Sequence, residues 1–574
     1  MKNKLTDKYM GENMKIETVV TIFLISVIAI IKLLEKYLIE HNIQKEKIMN
    51  INQIKENFIN EYYKWIFALI IIVTAFSKFY KFGEIPEYVG VDEAAAAYDS
   101  YCLANYGVDR YLLKYPLYLI NFGGGQSALY AYSTIPFIKL FGANIITYRL
   151  PELLFFIMGM IISCVLVYKV KDKKSALLYS FIIMTCPWYI EASRQGLDCN
   201  LLAPMFMLDL LLLFSAQKDW HFAVAGISIG ITLYTYALSW LLIPVFLVLY
   251  IAYSLYMKKI NFKQIIILGI PIFILAIPLI YLILLNNGYV SKTDFGISTI
   301  PKLPYYRVGE ISFSNIFECG LTGIQSVFLN KYSLFFVEVP FLIIGIIDGI
   351  SDFVLSIKTK KFNFNGFITA TLVLLFITNL MVNVPSINKI NIVYFPMLYV
   401  ITIGITKISD KSYIIPVITI VIISTLFINF EIEYFDTNKR DIRNETNPYE
   451  DREILKITEQ IEGDSENEDA HKYFITEKVV QPYIYSLMIT KTSPYELQAT
   501  RNKSDNLVYI TAFSNYSFGR NELDDATINE ICKDKKFIVI IHKKYQNNIE
   551  KFEQIGKNIT EYDDYKISVK QIGV

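Results

Sequence analysis

The stretch GVDEAAAAYDSY sets Asp92 and Glu93 side by side, just after the apolar run WIFALIIIVTAF and just before four alanines. A carboxylate at that position has three uses. It can take a proton from an attacking hydroxyl, help hold a cation, or stabilise the start of the helix that AAAAYDSYCLANYG favours. A second polar cluster, PWYIEASRQGLDCN at 187–200, carries Arg194 and Asp198 four residues apart. That spacing would place both on one helix face, as an ion pair or as members of a site. Two further cations, Arg307 in TIPKLPYYRVGE and Lys389 in VPSINKINIVYFP, stand in later connections between apolar runs. Arginine suits phosphate because its planar fork donates two hydrogen bonds at once. Asp209, inside FMLDLLLLF, is expected to bond a neighbouring helix rather than react, and the glycines of FGGGQ give flexibility or close approach.

The elements that must position these residues follow from composition. The chain of 574 residues is 53% hydrophobic, 15% aromatic and 19% charged, with mean hydropathy +0.37. Soluble domains average about 25% charged residues and lack repeated apolar runs of bilayer length. The sequence therefore predicts an α-helical polytopic membrane protein. A net charge of +1 leaves no basic excess for nucleic acid. Cysteines at 102, 164, 186, 199, 319 and 532 show no metal-ligand rhythm and are expected to be small buried apolar residues.

Apolar runs at 18–34, 64–80, 148–168, 175–190, 200–217, 222–236, 238–256, 264–286, 334–356, 366–385, 393–408 and 413–430 predict about 11–12 transmembrane helices. The first of these is an anchor or an unprocessed leader; no small-residue cleavage site follows it. The lysine-rich connections, such as KVKDKK, MKKINFK and KTKKF, belong in the cytoplasm by the positive-inside rule. That rule puts 82–147, 287–333 and the tail outside. Three segments are expected: 1–63, an extra hydrophobic helix and cytoplasmic linker; 64–430, the membrane domain; and 431–574, an extracytoplasmic α/β domain. In the last, DREILKITEQI has helical periodicity, while KYFIT, FIVIIHKK and YKISVKQI read as strands. The apolar stretch PLYLINFGGGQSALYAYSTIPFIKLFG looks made to lie along the bilayer surface.

Polar groups clustered on one face favour a site working on something dissolved in lipid. Two other classes fit less well. A transporter of lipid-linked sugar would carry several mid-span charges and internal repeats, whereas Asp209 is nearly the only such charge and no repeat appears. A non-catalytic envelope scaffold would not need the acidic pair.

The segments PEYVGVDEAAAAYDSYCLANYGVDRY, LFGANIITYRLPELL, PWYIEASRQGLDCNLLAPMFMLDLLLL and NKINIVYFPMLYVITIGI together resemble glycosyltransferase family 39. This is the GT-C group that contains protein O-mannosyltransferases and the aminoarabinose transferase acting on lipid A. The likeness runs over residues 64 to 430, and VVQPYIYSLMITKTSPYEL resembles the tail of bacterial members. It implies a membrane glycosyltransferase that draws a sugar from a polyprenyl-phosphate donor at the outer face. The acceptor would be a hydroxyl on lipid, glycan or protein. It further implies Asp92 as catalytic carboxylate with Glu93 beside it, Asp198 as second acidic site, and Arg194, Arg307 and Lys389 near the donor phosphate. Glu93 and Asp198 would support the base by positioning it or by binding a divalent cation. The histidines at 41, 221, 471 and 542 all stand away from these clusters.

Overall fold

Backbone groups in a bilayer must satisfy one another, so the apolar runs fold as helices. The computed structural model is 67% helical. It describes residues 45–571 except 306–310, 383–385, 410–413, 437–448, 477–478, 480, 507, 520, 535, 556–557 and 562–564. The predicted run at 18–34 and Arg307 lie outside the described residues.

Helix α1 (Lys45–Phe79) leads into α2 (Val91–Tyr106), a hairpin of β1 (Tyr118–Asn121) and β2 (Gly124–Ser127), and α3 (Leu129–Phe141). Then come α4 (Ile145–Val170), α5 (Lys173–Thr185), the short α6 (Pro187–Ala192), α7 (Leu202–Ser215), α8 (Asp219–Thr232), α9 (Ser239–Tyr256) and α10 (Phe262–Asn286). After the small hairpin β3–β4 (Asp294–Phe295, Ser298–Thr299) follow α11 (Asn315–Phe328), α12 (Val339–Thr359), α13 (Phe364–Asn379), α14 (Tyr394–Ser409) and α15 (Ile414–Phe435).

Among the described residues, eight helices are long and apolar enough to cross a membrane, and the protein is a multi-pass membrane protein. Three other predicted spans fall on α5, α8 and α13, which have 13, 14 and 16 residues. At about 1.5 Å per residue these helices are shorter than a hydrocarbon layer of about 30 Å. The run predicted at 175–190 is broken at Cys186, because Pro187 starts a new helix and has no N–H to continue the old one. Connections far apart in the chain meet: Tyr305 N–H donates to Gly123 O at 2.8 Å, and the Asn391 side chain donates to Cys199 O at 3.3 Å.

The C-terminal region contains α16 (Tyr449–Glu462), α17 (Pro482–Thr490), α18 (Pro494–Thr500), α19 (Asp525–Ile531) and α20 (Gln546–Ile555). Its strands are β5 (His471–Ile475), β6 (Ala512–Phe513), β7 (Tyr516–Gly519), β8 (Lys536–His542), β9 (Asn558–Glu561) and β10 (Tyr565–Gln571). They form one six-stranded sheet in the order β6-β7-β5-β8-β10-β9, with β5 parallel to both β7 and β8. Alternation along β8 explains why FIVII is apolar throughout. Ile538 and Ile540 enter a core shared with α16, α17 and α2, while Phe537, Val539 and Ile541 enter one shared with α19 and α20.

The four alanines now have a reason. Ala94 and Ala95 pack into the C-terminal core with Ile454, Ile457, Tyr483 and Leu487, whereas Ala96 packs with Tyr130, Tyr148 and Leu201 on the membrane-domain side. Helix α2 is thus held between two layers, and small side chains allow the close approach. Tyr98 Oη also donates to Thr492 O at 2.7 Å. Replacing Ala95, which is fully buried, by leucine is expected to destabilise the folded protein by about 1–3 kcal/mol through overpacking. Thermal denaturation in detergent reads this; an unchanged midpoint would show that α2 is not clamped.

Candidate active site

Asp92 and Glu93 open α2, where acidic groups complement the helix dipole. Being consecutive on a helix, they point apart. Glu93 is buried and grips Arg149 of α4 with both oxygens, at 2.7 Å to Nε and 2.9 Å to Nη2. Its Oε1 also accepts the Gly196 N–H at 2.7 Å. Arg149 continues to the carbonyls of Pro86 and Tyr88 at 3.0 and 2.8 Å. One buried ion pair therefore ties together the loop before α2, the start of α4 and the loop before α7. Gly196 has no substitute there, since a Cβ would stand 2.4 Å from the Tyr148 ring.

Asp92 is exposed, and its Oδ1 accepts from Asn121 Nδ2 at 2.7 Å. Asn121 ends β1, so the carboxylate is met by a hairpin. FGGGQ is the turn of that hairpin: Phe122 and Gly123 both have positive φ, 47° and 83°, the combination that a two-residue type I′ turn requires. Gly125 is demanded by packing, because a Cβ would come within 2.0 Å of the Tyr118 ring. The returning strand reaches the second acid: Ser127 N–H donates to Asp198 Oδ2 at 2.9 Å, and Cys199 N–H donates to Asp198 Oδ1 at 2.9 Å. Asp92 and Asp198 lie close enough to feel each other's charge.

The cations divide. Arg194 is corrected: its guanidinium is buried and all five N–H groups go to backbone carbonyls. These belong to Ile85, Ser77, Lys78, Tyr80 and Lys81, at 2.8 to 2.9 Å. None remains for a phosphate, and no ion pair with Asp198 forms; Arg194 instead closes the C-terminal end of α1. Lys389 is half-buried in the turn before Asn391, whose side chain bonds Asn200 Oδ1 at 2.8 Å and accepts from Trp188 Nε1 at 2.8 Å. Its segment is thereby brought to the Asp198 loop. Asp209 accepts from Ser228 and Thr232 of α8 at 2.5 and 2.8 Å, the helix-to-helix bonding its sequence setting suggests.

Among the described residues no group of three or more His, Cys, Asp or Glu side chains is arranged to hold a metal. Glu93 is engaged by Arg149, and each Asp198 oxygen accepts one backbone N–H group.

Besides Arg149 and Asn121, two buried residues escaped the sequence reading. Glu152 of α4 is fully buried, neither carboxylate oxygen has a hydrogen-bond partner among the described residues, and it feels the charges of Asp198 and Glu93. Its position three after Arg149 in RLPELL was a legible signal of a shared helix face. Lys78, buried at the end of α1, donates to Ser193 Oγ at 2.7 Å and to Tyr189 O. Beyond α2, Asp109 accepts N–H bonds from Tyr111 and Leu113 at 2.9 Å. Burial, then the charge of neighbouring Asp99, pushes its carboxyl up to about 7.

The arrangement of helices is similar in fold to that of a solved protein structure. The likeness is to ArnT from Cupriavidus metallidurans. The structure of that protein bound to undecaprenyl phosphate matches with TM-score 0.54 at 11% identity, over 89% of this chain and 98% of that one. Its apo structure matches over the same shares with TM-score 0.51. No family model and no curated relative matches the chain.

Proposed function

We propose that the protein is a membrane glycosyltransferase that moves a sugar from a polyprenyl-phosphate donor to a hydroxyl acceptor at the outer membrane face, with inversion. Asp92 is the general base. The carrying observation is that, of Asp92, Glu93, Glu152 and Asp198, Asp92 alone is exposed. The fold shared with ArnT, a protein that binds undecaprenyl phosphate, supports the donor class.

The acceptor oxygen attacks the anomeric carbon as Asp92 takes its proton. The bond from that carbon to the phosphate oxygen breaks, and the phosphate leaves as an anion that needs no general acid. Glu93 with Arg149 fixes the start of α2, and Asp198 fixes the hairpin that meets Asp92. Lys389, and Arg307 from the 287–333 connection, supply charge for the phosphate. The membrane domain is 64–430, preceded by 1–63 and followed by the extracytoplasmic domain 431–574. The protein is tested in liposomes with no ion or voltage gradient, supplied with native lipid-linked sugar labelled in the sugar and with cell-envelope lipids, glycans and proteins as acceptors. Label transferred to a new acceptor supports an enzyme; label that only crosses the bilayer supports a transporter.

A further inference from the structure

Asn121 stands between two charged groups of opposite sign. Its Nδ2 donates to Asp92 Oδ1 at 2.7 Å, and its Oδ1 accepts from Arg110 Nη2 at 3.4 Å. Only one amide orientation serves both neighbours. Turning it over would set a carbonyl against the carboxylate and an N–H against the guanidinium. Arg110 is itself held in place by its own partners. It is fully buried and pairs with Asp99 through Nε at 3.1 Å and Nη2 at 2.8 Å, while its backbone N–H reaches Asp99 Oδ1 at 3.1 Å. Asp99 and Asp92 lie on one helix, α2, seven residues apart, so the ends of this chain of bonds share a rigid frame. The hairpin adds a second anchor. Asn121 pairs with Gly124 across the turn, Gly123 O accepts the Tyr305 N–H, and a Cβ on Gly123 would meet the Val508 methyl at 2.7 Å.

We propose that Asn121 is a positioning residue for Asp92, held in orientation by the buried Asp99–Arg110 pair. The inference rests on Asp92 being the base. The Asn121 amide holds the Asp92 carboxylate in one rotamer, with Oδ2 directed at the incoming hydroxyl. Gln498 Nε2 donates to Arg110 O at 2.7 Å, so the C-terminal region is bonded to the same chain.

The test uses the full chain in liposomes with sugar-labelled native lipid-linked sugar and cell-envelope lipids, glycans and proteins as acceptors, comparing Asn121→Ala, Asn121→Asp and Asp92→Asn with the unmodified protein. Asn121→Ala is expected to lower kcat by about 10- to 100-fold with KM for the donor unchanged. Asn121→Asp keeps the shape but sets two carboxylates face to face, and is expected to lose at least as much. A packing role alone would give the opposite rank, with the isosteric aspartate milder than alanine. Thermal midpoints separate misfolding from loss of positioning; if both variants fall by more than about 10 °C, Arg110→Lys, which removes the fork from Asn121, takes their place with the same kcat loss expected. Activity of Asn121→Ala within about twofold of the unmodified chain, or the reversed rank, overturns the proposal while Asp92→Asn remains dead. An active Asp92→Asn, or no transfer by the unmodified chain, overturns the general-base reading and this inference with it.

Discussion

Asp92→Asn is expected to lower glycosyl transfer by about 10²–10⁴-fold, the usual contribution of a positioned general base, while leaving the thermal midpoint of the protein nearly unchanged. The asparagine keeps the size of the side chain and can still bond Asn121, and the site is exposed, so no buried charge is stranded. What is removed is the ability to accept a proton as the hydroxyl attacks. Transfer rates with sugar-labelled donor, set beside denaturation curves, separate the two quantities. A variant that is both inactive and unfolded would assign Asp92 a structural role instead.

The reverse pattern is expected one residue on. Glu93 and Arg149 are both fully buried, at 1% and 0% side-chain exposure, and neither reaches solvent to re-pair. Glu93→Gln leaves the guanidinium uncompensated in a low-dielectric setting, which costs about 3–5 kcal/mol, a large part of the stability of a folded domain. It is expected to reduce folded protein recovered in detergent and to lower its thermal midpoint sharply. The double variant Glu93→Gln with Arg149→Met removes the stranded charge and is expected to recover much of that loss. If the single variant proves as stable as the unmodified chain, the pair does not hold the three loops together. Neighbouring acids thus have separable duties, one chemical and one structural, because a helix turns them about 100° apart.

The helices long enough to cross a membrane were legible because hydrophobic length is a local signal. The same holds for the strands KYFIT, FIVIIHKK and YKISVKQI, which became β5, β8 and β10. Their order in the sheet was not legible, since β5 pairs with β7 and β8 across long stretches of chain. Nor was the fate of Arg194. Its spacing from Asp198 suggested a pair, but the carbonyls that take its N–H groups belong to residues more than a hundred positions earlier. The hairpin was hidden for a local reason: its turn is Phe122–Gly123, without the asparagine or aspartate that usually marks a type I′ turn. In an apolar segment it read only as chain made to lie along the bilayer surface. Asn121 was therefore invisible as a neighbour of Asp92, although the two are only 29 residues apart.

The most direct measurement compares the cell envelope of a strain carrying the unmodified gene with one carrying Asp92→Asn, by mass spectrometry of both the lipid-linked sugars and the extracellular glycans, lipids and proteins. The expected result is a sugar-sized mass lost from one class of acceptor together with build-up of its polyprenyl-phosphate donor. An acceptor still fully decorated in the Asp92→Asn strain, with no donor accumulating, would contradict the central claim.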